Sequence, residues 1–171
     1  QLPPNVEEVH EVFLDDAIHL RGAGHTVHFT EEQQTALKEL IRLGRPDWDV
    51  LFRLFQDKAL HPLSFLRSRK FLELFTQVCT EEFPAVSYTD AFHTTRSMRL
   101  PMLYLLGTDV PKAQIYHAIS TGYGGLLACL GGCMNRAPVL LTEHGIYTRE
   151  REEEILQADW VAPAFRKRWI R

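Results

Sequence analysis

Gln114-Ile-Tyr-His-Ala-Ile119, Ser120-Thr-Gly-Tyr-Gly-Gly125 and Pro138-Val-Leu-Leu-Thr-Glu-His-Gly145 are the stretches whose reading decides the fold. Residues 114–119 form a short apolar run and read as a strand. Residues 121–135 are rich in glycine and leucine and read as a helix. Residues 138–142 give a second, fully apolar strand, and 148–157 a charged helix. This strand–helix–strand–helix order implies two parallel strands joined by a right-handed crossover. Neither strand alternates with polar residues, so both are expected to be buried on both faces. The expected class is α/β, with a Rossmann-like unit and an added helical segment.

Toward the N-terminus the pattern is helical. Thr30-Glu31-Glu32-Gln33 forms a capping box, in which the threonine oxygen and the glutamine side chain satisfy free backbone N–H groups. Leu37, Leu40, Ile41 and Leu43 follow at helical spacing, and Gly44 and Pro46 end the helix. Asp47 caps a second helix carrying Val50, Leu51, Leu54 and Phe55 on one face. A third is expected from about Pro62 to Thr80, with Phe65, Leu66, Leu72, Phe75 and Val78 turned inward. Thr89-Asp90 opens a fourth, which Pro101 should kink or divide and Gly107 closes. Residues 6–14 alternate loosely and read as a strand, and 15–28, with Gly22 and Gly24, read as a loop.

The chain has 171 residues, 45% hydrophobic and 24% charged, the balance of an ordinary globular domain. A formal net charge of −3 argues against nucleic acid as a partner. Three cysteines make no disulfide framework and fit a reducing, cytoplasmic setting. No signal peptide is visible, and no run approaches the roughly 20 apolar residues of a membrane span. The opening at Gln1-Leu2-Pro3-Pro4 and the stop at Trp169-Ile170-Arg171, inside a helix-like pattern, read as the ends of a piece of a longer protein.

In an open parallel sheet, ligands bind beyond the carboxyl ends of the strands. The first strand runs into Ser120, Thr121, Gly122, Tyr123 and Gly124, and the second into Thr142, Glu143, His144 and Gly145. The topology sets these loops side by side. The first is either an anion site, with glycines admitting a ligand to a helix N-terminus, or a small-residue turn that lets the helix pack tightly. His144 suits donation to a sugar hydroxyl or phosphate oxygen, or proton transfer, and Glu143 either orients it or caps the next turn. His117 reads as a buried, hydrogen-bonded structural residue. Cys129 and Cys133 read as small buried residues of a tight helix, with the wrong spacing for zinc and no expected metal. Thr148 to Glu154 reads as a solvated helix face, with Arg149 and Arg151 near enough to His144 to meet a phosphate. Residues 165–171 carry Arg166, Lys167, Arg168 and Arg171 beside Phe165 and Trp169, the pattern of a docking helix with a basic face or of contact with an anionic membrane.

The block Val139-Leu-Leu-Thr-Glu-His-Gly-Ile-Tyr-Thr-Arg-Glu-Arg151 resembles the PelF family of bacterial glycosyltransferases, within the retaining GT4 group. Tyr116 to Leu127, Ser87 to Met98 with Leu100-Pro101, and Leu2 to Val6 extend the resemblance over nearly the whole chain. It implies the N-terminal half of a GT-B enzyme, with the donor held by a C-terminal domain that would follow Arg171 and the acceptor held by this half. It further implies a UDP-sugar donor, expected to be UDP-glucose, and a saccharide acceptor in Pel-like exopolysaccharide synthesis. No cofactor is expected. The location implied is cytoplasmic, or peripheral to the inner membrane beside membrane-associated synthesis proteins. On this resemblance the donor-sugar contact falls on His144, and Ser120 to Gly125 line the acceptor side. The family's first strand and its glycine-rich loop would precede Gln1. Two other readings stand beside it. Gly122-x-Gly124 with Glu143 about 20 residues on imitates a dinucleotide fingerprint, although Leu127 occupies the third glycine's place and Gly125 breaks the pattern. The helical stretch 30–106 could instead be a non-catalytic docking module. Self-association of the isolated chain is expected on any of these readings.

Overall fold

The computed structural model describes residues 3–19, 28–42, 44–56, 60 and 62–170. In chain order the helices α1 (Asp16–His19), α2 (Glu31–Arg42), α3 (Trp48–Gln56), α4 (Pro62–Leu66), α5 (Arg69–Glu82) and α6 (Tyr88–Leu106) come first. They are followed by β1 (Tyr116–Ala118), α7 (Tyr123–Asn135), β2 (Val139–Leu141), α8 (Tyr147–Gln157) and α9 (Pro163–Trp169). The fold is mixed α/β and mostly helical, with a two-stranded parallel sheet among the described residues.

Local signals set the first helices. Thr30 N–H donates to Gln33 Oε1 at 3.0 Å and Gln33 N–H to Thr30 Oγ1 at 3.2 Å, the reciprocal pair of a capping box. At the start of α3, Val50 N–H donates to Asp47 Oδ1 at 3.1 Å. Ala36, Leu37, Leu40 and Ile41 of α2 are buried, as are Val50, Leu51, Leu54 and Phe55 of α3. Leu43 lies outside the described residues, as does most of the expected loop, 20–27.

Three expectations are corrected. The single helix over 62–80 is two, α4 and α5, because Ser68 adopts an extended conformation and caps the second, accepting from Phe71 N–H at 3.0 Å. The restart resets the phase: Phe71 and Leu74 turn inward, and Leu72 is 42% exposed. Pro101 does not divide α6, which runs unbroken from Tyr88 to Gly107 at its C-cap. Burial of Leu100, Leu103 and Leu106 around the proline holds the helix across the lost bond, whose cost is about 3 kcal/mol. Residues 6–13 are not a strand; Val9 and Phe13 are exposed and no partner strand lies beside them among the described residues.

The main core is helical. Phe65, Phe71, Phe75 and Phe92 form an aromatic cluster with edge-to-face contacts at Phe65–Phe71 and Phe75–Phe92. Phe165 of α9 stacks on Phe83 with centroids 4.1 Å apart, tying the C-terminal segment to α5. The Arg166 guanidinium donates to the carbonyls of Leu156, Ala158 and Val161, so it closes the end of α8 and is not part of a free basic face. The side chains of Lys167, Arg168, Trp169 and Arg171 lie outside the described set.

The α/β unit docks on this bundle through α7, which packs against α3 and α6 on one side and both strands on the other. The close approach to the sheet is made by Gly131 and Gly132. A Cβ at Gly131 would overlap the Tyr116 ring, and one at Gly132 would overlap Val139 Cγ2. The strands pair in parallel, Tyr116 with Val139, His117 with Leu140 and Ala118 with Leu141. Their expected two-faced burial does not hold. β1 buries Tyr116 and Ala118 and exposes His117, while all three residues of β2 are exposed. An apolar strand is buried on two faces only where neighbours cover both, and among the described elements α7 is the one that packs extensively on this sheet.

Candidate functional site

Parallel pairing brings the carboxyl ends of β1 and β2 together. Thr142 N–H donates to Ala118 O at 2.8 Å, extending the ladder one step past β2. His117 is exposed, not buried, and its Nε2 sits 2.8 Å from Thr142 Oγ1, which ties the two strand ends across their surface. Gly122 then takes φ +76°, a conformation that side chains disfavour, and turns the chain into α7. A Cβ there would also come within 2.9 Å of the Tyr147 hydroxyl, so the turn and the first residue of α8 are in close contact.

Between these loops lies an open cavity of about 240 Å³. Four of the expected residues, Ser120, Thr121, His144 and Gly145, line it, together with Ile119, Tyr147 and Glu150. His144 is exposed and makes no hydrogen bond or ion pair to a described residue, so both ring nitrogens are available to a ligand. Two hydroxyls, an imidazole, a phenol and a carboxylate therefore surround one space. Such a set recognises a hydroxyl-rich ligand by hydrogen bonds, and His144 with Glu150 supplies groups that can hold or accept a proton.

A second cavity, of about 640 Å³, opens on the other side of Tyr147, between α3, α6 and α7. Gly122 and Tyr123 line this one, with Trp48, Phe52, Arg99 and Arg151 among their neighbours. Gly124, Glu143 and Arg149 line neither cavity. All three are exposed; of the two arginines expected near His144, Arg149 lines neither cavity and Arg151 lines the larger one instead. Its Nη1 donates to Glu154 at 2.6 Å and its Nη2 lies 3.9 Å from Met98 Sδ. Burial pushes the Tyr123 phenol up, and the nearby Arg151 and Arg99 guanidiniums pull partly against it. Arg99 is 8% exposed, and burial pushes its guanidinium down to about 10, which leaves it charged at neutral pH.

The sequence reading missed Tyr147, Glu150 and Arg99. Tyr147 and Glu150 follow from α8 starting one residue earlier than expected and turning its first face back over the Ser120 loop. For Arg99 the signal was available: it is the single charge between Met98 and Leu106 in an otherwise apolar run. Cys129 and Cys133 are exposed and not buried, because α7 turns its leucines and glycines inward. Cys133 Sγ donates to Asp49 Oδ1 at 3.3 Å. Among the described residues no three His, Cys, Asp or Glu side chains are placed to hold a metal ion.

Residues 1–171 match, as a whole, the family described as "Domain of unknown function (DUF3492)". The chain belongs to the DUF3492 family. No curated protein and no solved structure matches it significantly. In this DUF3492 domain no helix among the described residues is long and apolar enough to cross a membrane.

Proposed function

We propose that this DUF3492 domain is the N-terminal, acceptor-side part of a retaining glycosyltransferase of the GT-B type, resembling PelF. The enzyme that contains it moves a hexose from a UDP-sugar, UDP-glucose by the resemblance, to a saccharide acceptor in bacterial Pel-like exopolysaccharide synthesis. The observation that carries the reading is the joint cavity of Ser120, Thr121, His144 and Gly145 at the carboxyl ends of two parallel strands. That is where ligands bind in open α/β sheets, and the lining suits hydroxyls. The block around His144 is also the one that resembles the PelF family. In this reading His144 donates a hydrogen bond to the donor sugar, and Ser120 and Thr121 hold the acceptor. The donor's nucleotide is held by a second domain, so the 171 residues alone should turn over no UDP-sugar.

The test is His144→Ala in the full-length enzyme. Removing a positioned donor or proton carrier should lower transfer by about a hundredfold or more. Circular dichroism should remain that of the parent, because His144 is exposed and makes no hydrogen bond or ion pair among the described residues. Unchanged transfer kinetics would remove His144 from the site. UDP-sugar hydrolysis or transfer by the isolated 171 residues would overturn the division of labour.

A further inference from the structure

The 640 Å³ cavity is a different kind of site from the hydroxyl-lined one. Its walls are apolar and aromatic, from Trp48, Phe52, Leu126 and Tyr147, with Met98 and Met102 as adaptable filler. Its volume lies in the range of pockets that enclose a small organic ligand, roughly 300–1,000 Å³. Within it stands Arg99, presented from the middle of α6. Nine-tenths of this residue is buried, yet it has no carboxylate partner among the described residues. Among the described residues its one hydrogen bond runs from Nη1 to Met102 Sδ at 3.9 Å, and a thioether is a weak acceptor.

The surrounding acids do not serve it. Glu39 lines the smaller cavity that adjoins Arg99, but its carboxylate takes Arg42 Nε at 3.2 Å and Arg45 N–H at 3.2 Å. Glu154 is held by Arg151 at 2.6 Å. A buried cation with five donors and no anion is costly to the fold, and a protein keeps one where something supplies the anion. Largely apolar walls around Arg99, with Arg151 at the rim already paired to Glu154, make a strongly polar ligand a poor fit. A nucleotide's base edges and ribose hydroxyls would find few partners there beyond the Tyr123 and Tyr147 hydroxyls and Arg151.

We propose that this cavity binds a single-chain amphiphilic anion, its apolar part among Trp48, Phe52 and Leu126 and its anionic head group on Arg99. Arg151, at the same wall, adds positive potential while it remains paired with Glu154. The proposal does not rest on the glycosyltransferase reading, since neither His144 nor Ser120 lines this cavity, although Tyr147 lines both and Gly122 and Tyr123 belong to the loop assigned to the acceptor.

Isothermal titration of the 171-residue domain with decyl phosphate, below its micelle concentration, tests the site. Decanol, inorganic phosphate and UMP are titrated beside it. Decyl phosphate should bind tighter than decanol by about tenfold to a hundredfold, the effect of a charge-assisted hydrogen bond. Inorganic phosphate and UMP should bind more weakly than decyl phosphate. Arg99→Met should bring decyl phosphate down to decanol's affinity, leave decanol unchanged, and melt at the same temperature or higher, because an apolar chain of similar length replaces a buried charge. Arg99→Lys should retain part of the preference for the anion, and it carries the test if Arg99→Met does not fold. Equal affinity for decanol and decyl phosphate overturns the proposal, as does undiminished preference in both variants. Tighter binding of UMP or inorganic phosphate overturns the apolar part. A lower melting temperature for Arg99→Met that Arg99→Lys restores, without any change in ligand preference, assigns the arginine to the fold alone.

Discussion

Tyr116→Phe removes one oxygen from the point where the α/β unit is fastened. The Tyr116 hydroxyl accepts from Asn135 Nδ2 at 2.6 Å and from Ala113 N–H at 3.0 Å, and donates to Pro111 O at 2.8 Å. It thereby ties the chain before β1 to the last turn of α7. At about 1 kcal/mol net for each bond, the ceiling of the loss is roughly 3 kcal/mol. Pro111 and Ala113 are exposed, so water replaces two of the partners. The Asn135 amide keeps its bond to Gly131 O at 3.1 Å. The expected loss is therefore about 1–2 kcal/mol, set mainly by the half-buried amide. With a urea slope of roughly 2–3 kcal/mol/M, the midpoint should fall by about 0.3–1 M in a circular-dichroism titration. Asn135→Ala should lose less when Tyr116 is already phenylalanine, with a coupling of at least about 0.5 kcal/mol. An unshifted midpoint, or strict additivity of the two substitutions, would refute this account of how β1 is anchored.

Gly131→Ala should destabilise by about 1–3 kcal/mol, since its Cβ would meet the Tyr116 ring; a wild-type melting temperature would contradict the close packing of α7 on the sheet. Thiol alkylation near pH 8 should modify exposed Cys129 first and buried Cys79 last, because burial pushes the Cys79 thiol up to about 11 and leaves little thiolate. The Cys79 rate should climb as pH approaches 11. Cys133, raised by burial and by Asp49, should react faster in Asp49→Asn, and an unchanged rate would dismiss that contact. The isolated 171 residues should self-associate through the exposed apolar sheet, and Leu140→Lys should weaken this in static light scattering; a wild-type monomer at high concentration would count against it.

Features whose partners lie close in sequence were legible. The capping box at Thr30–Gln33 and the Asp47 cap are closed by residues three apart, so the residues that make them are visible together. The parallel pairing of β1 with β2 was legible for another reason: a strand, a helix of this length and a second strand have few ways to close. What failed needed distant information. Alternation over 6–14 could not say whether a neighbouring strand exists to receive it. The apolar run 139–141 says that β2 avoids polar groups, not that anything covers it. Ser68 was invisible as a cap because the apolar residues on either side of it continue a helical pattern until the phase shift at Phe71 is known.

The site divides along the same line. Loops at the carboxyl ends of adjacent parallel strands must meet, so Ser120, Thr121, His144 and Gly145 reach one cavity by topology alone. Tyr123 and Arg149 depended on which way a helix turns after its first residue, and the structure sets both apart from the His144 cavity. Gly122 at φ +76° swings Tyr123 toward α6, and α8 presents Glu150 to the His144 cavity and Arg151 to the apolar one. Neighbouring residues on one helix thus serve two cavities of opposite character, with the Tyr147 ring lining both. A ligand in either cavity that moves this ring changes the other's wall, and the ring also lies beside the Gly122 turn that leads into α7.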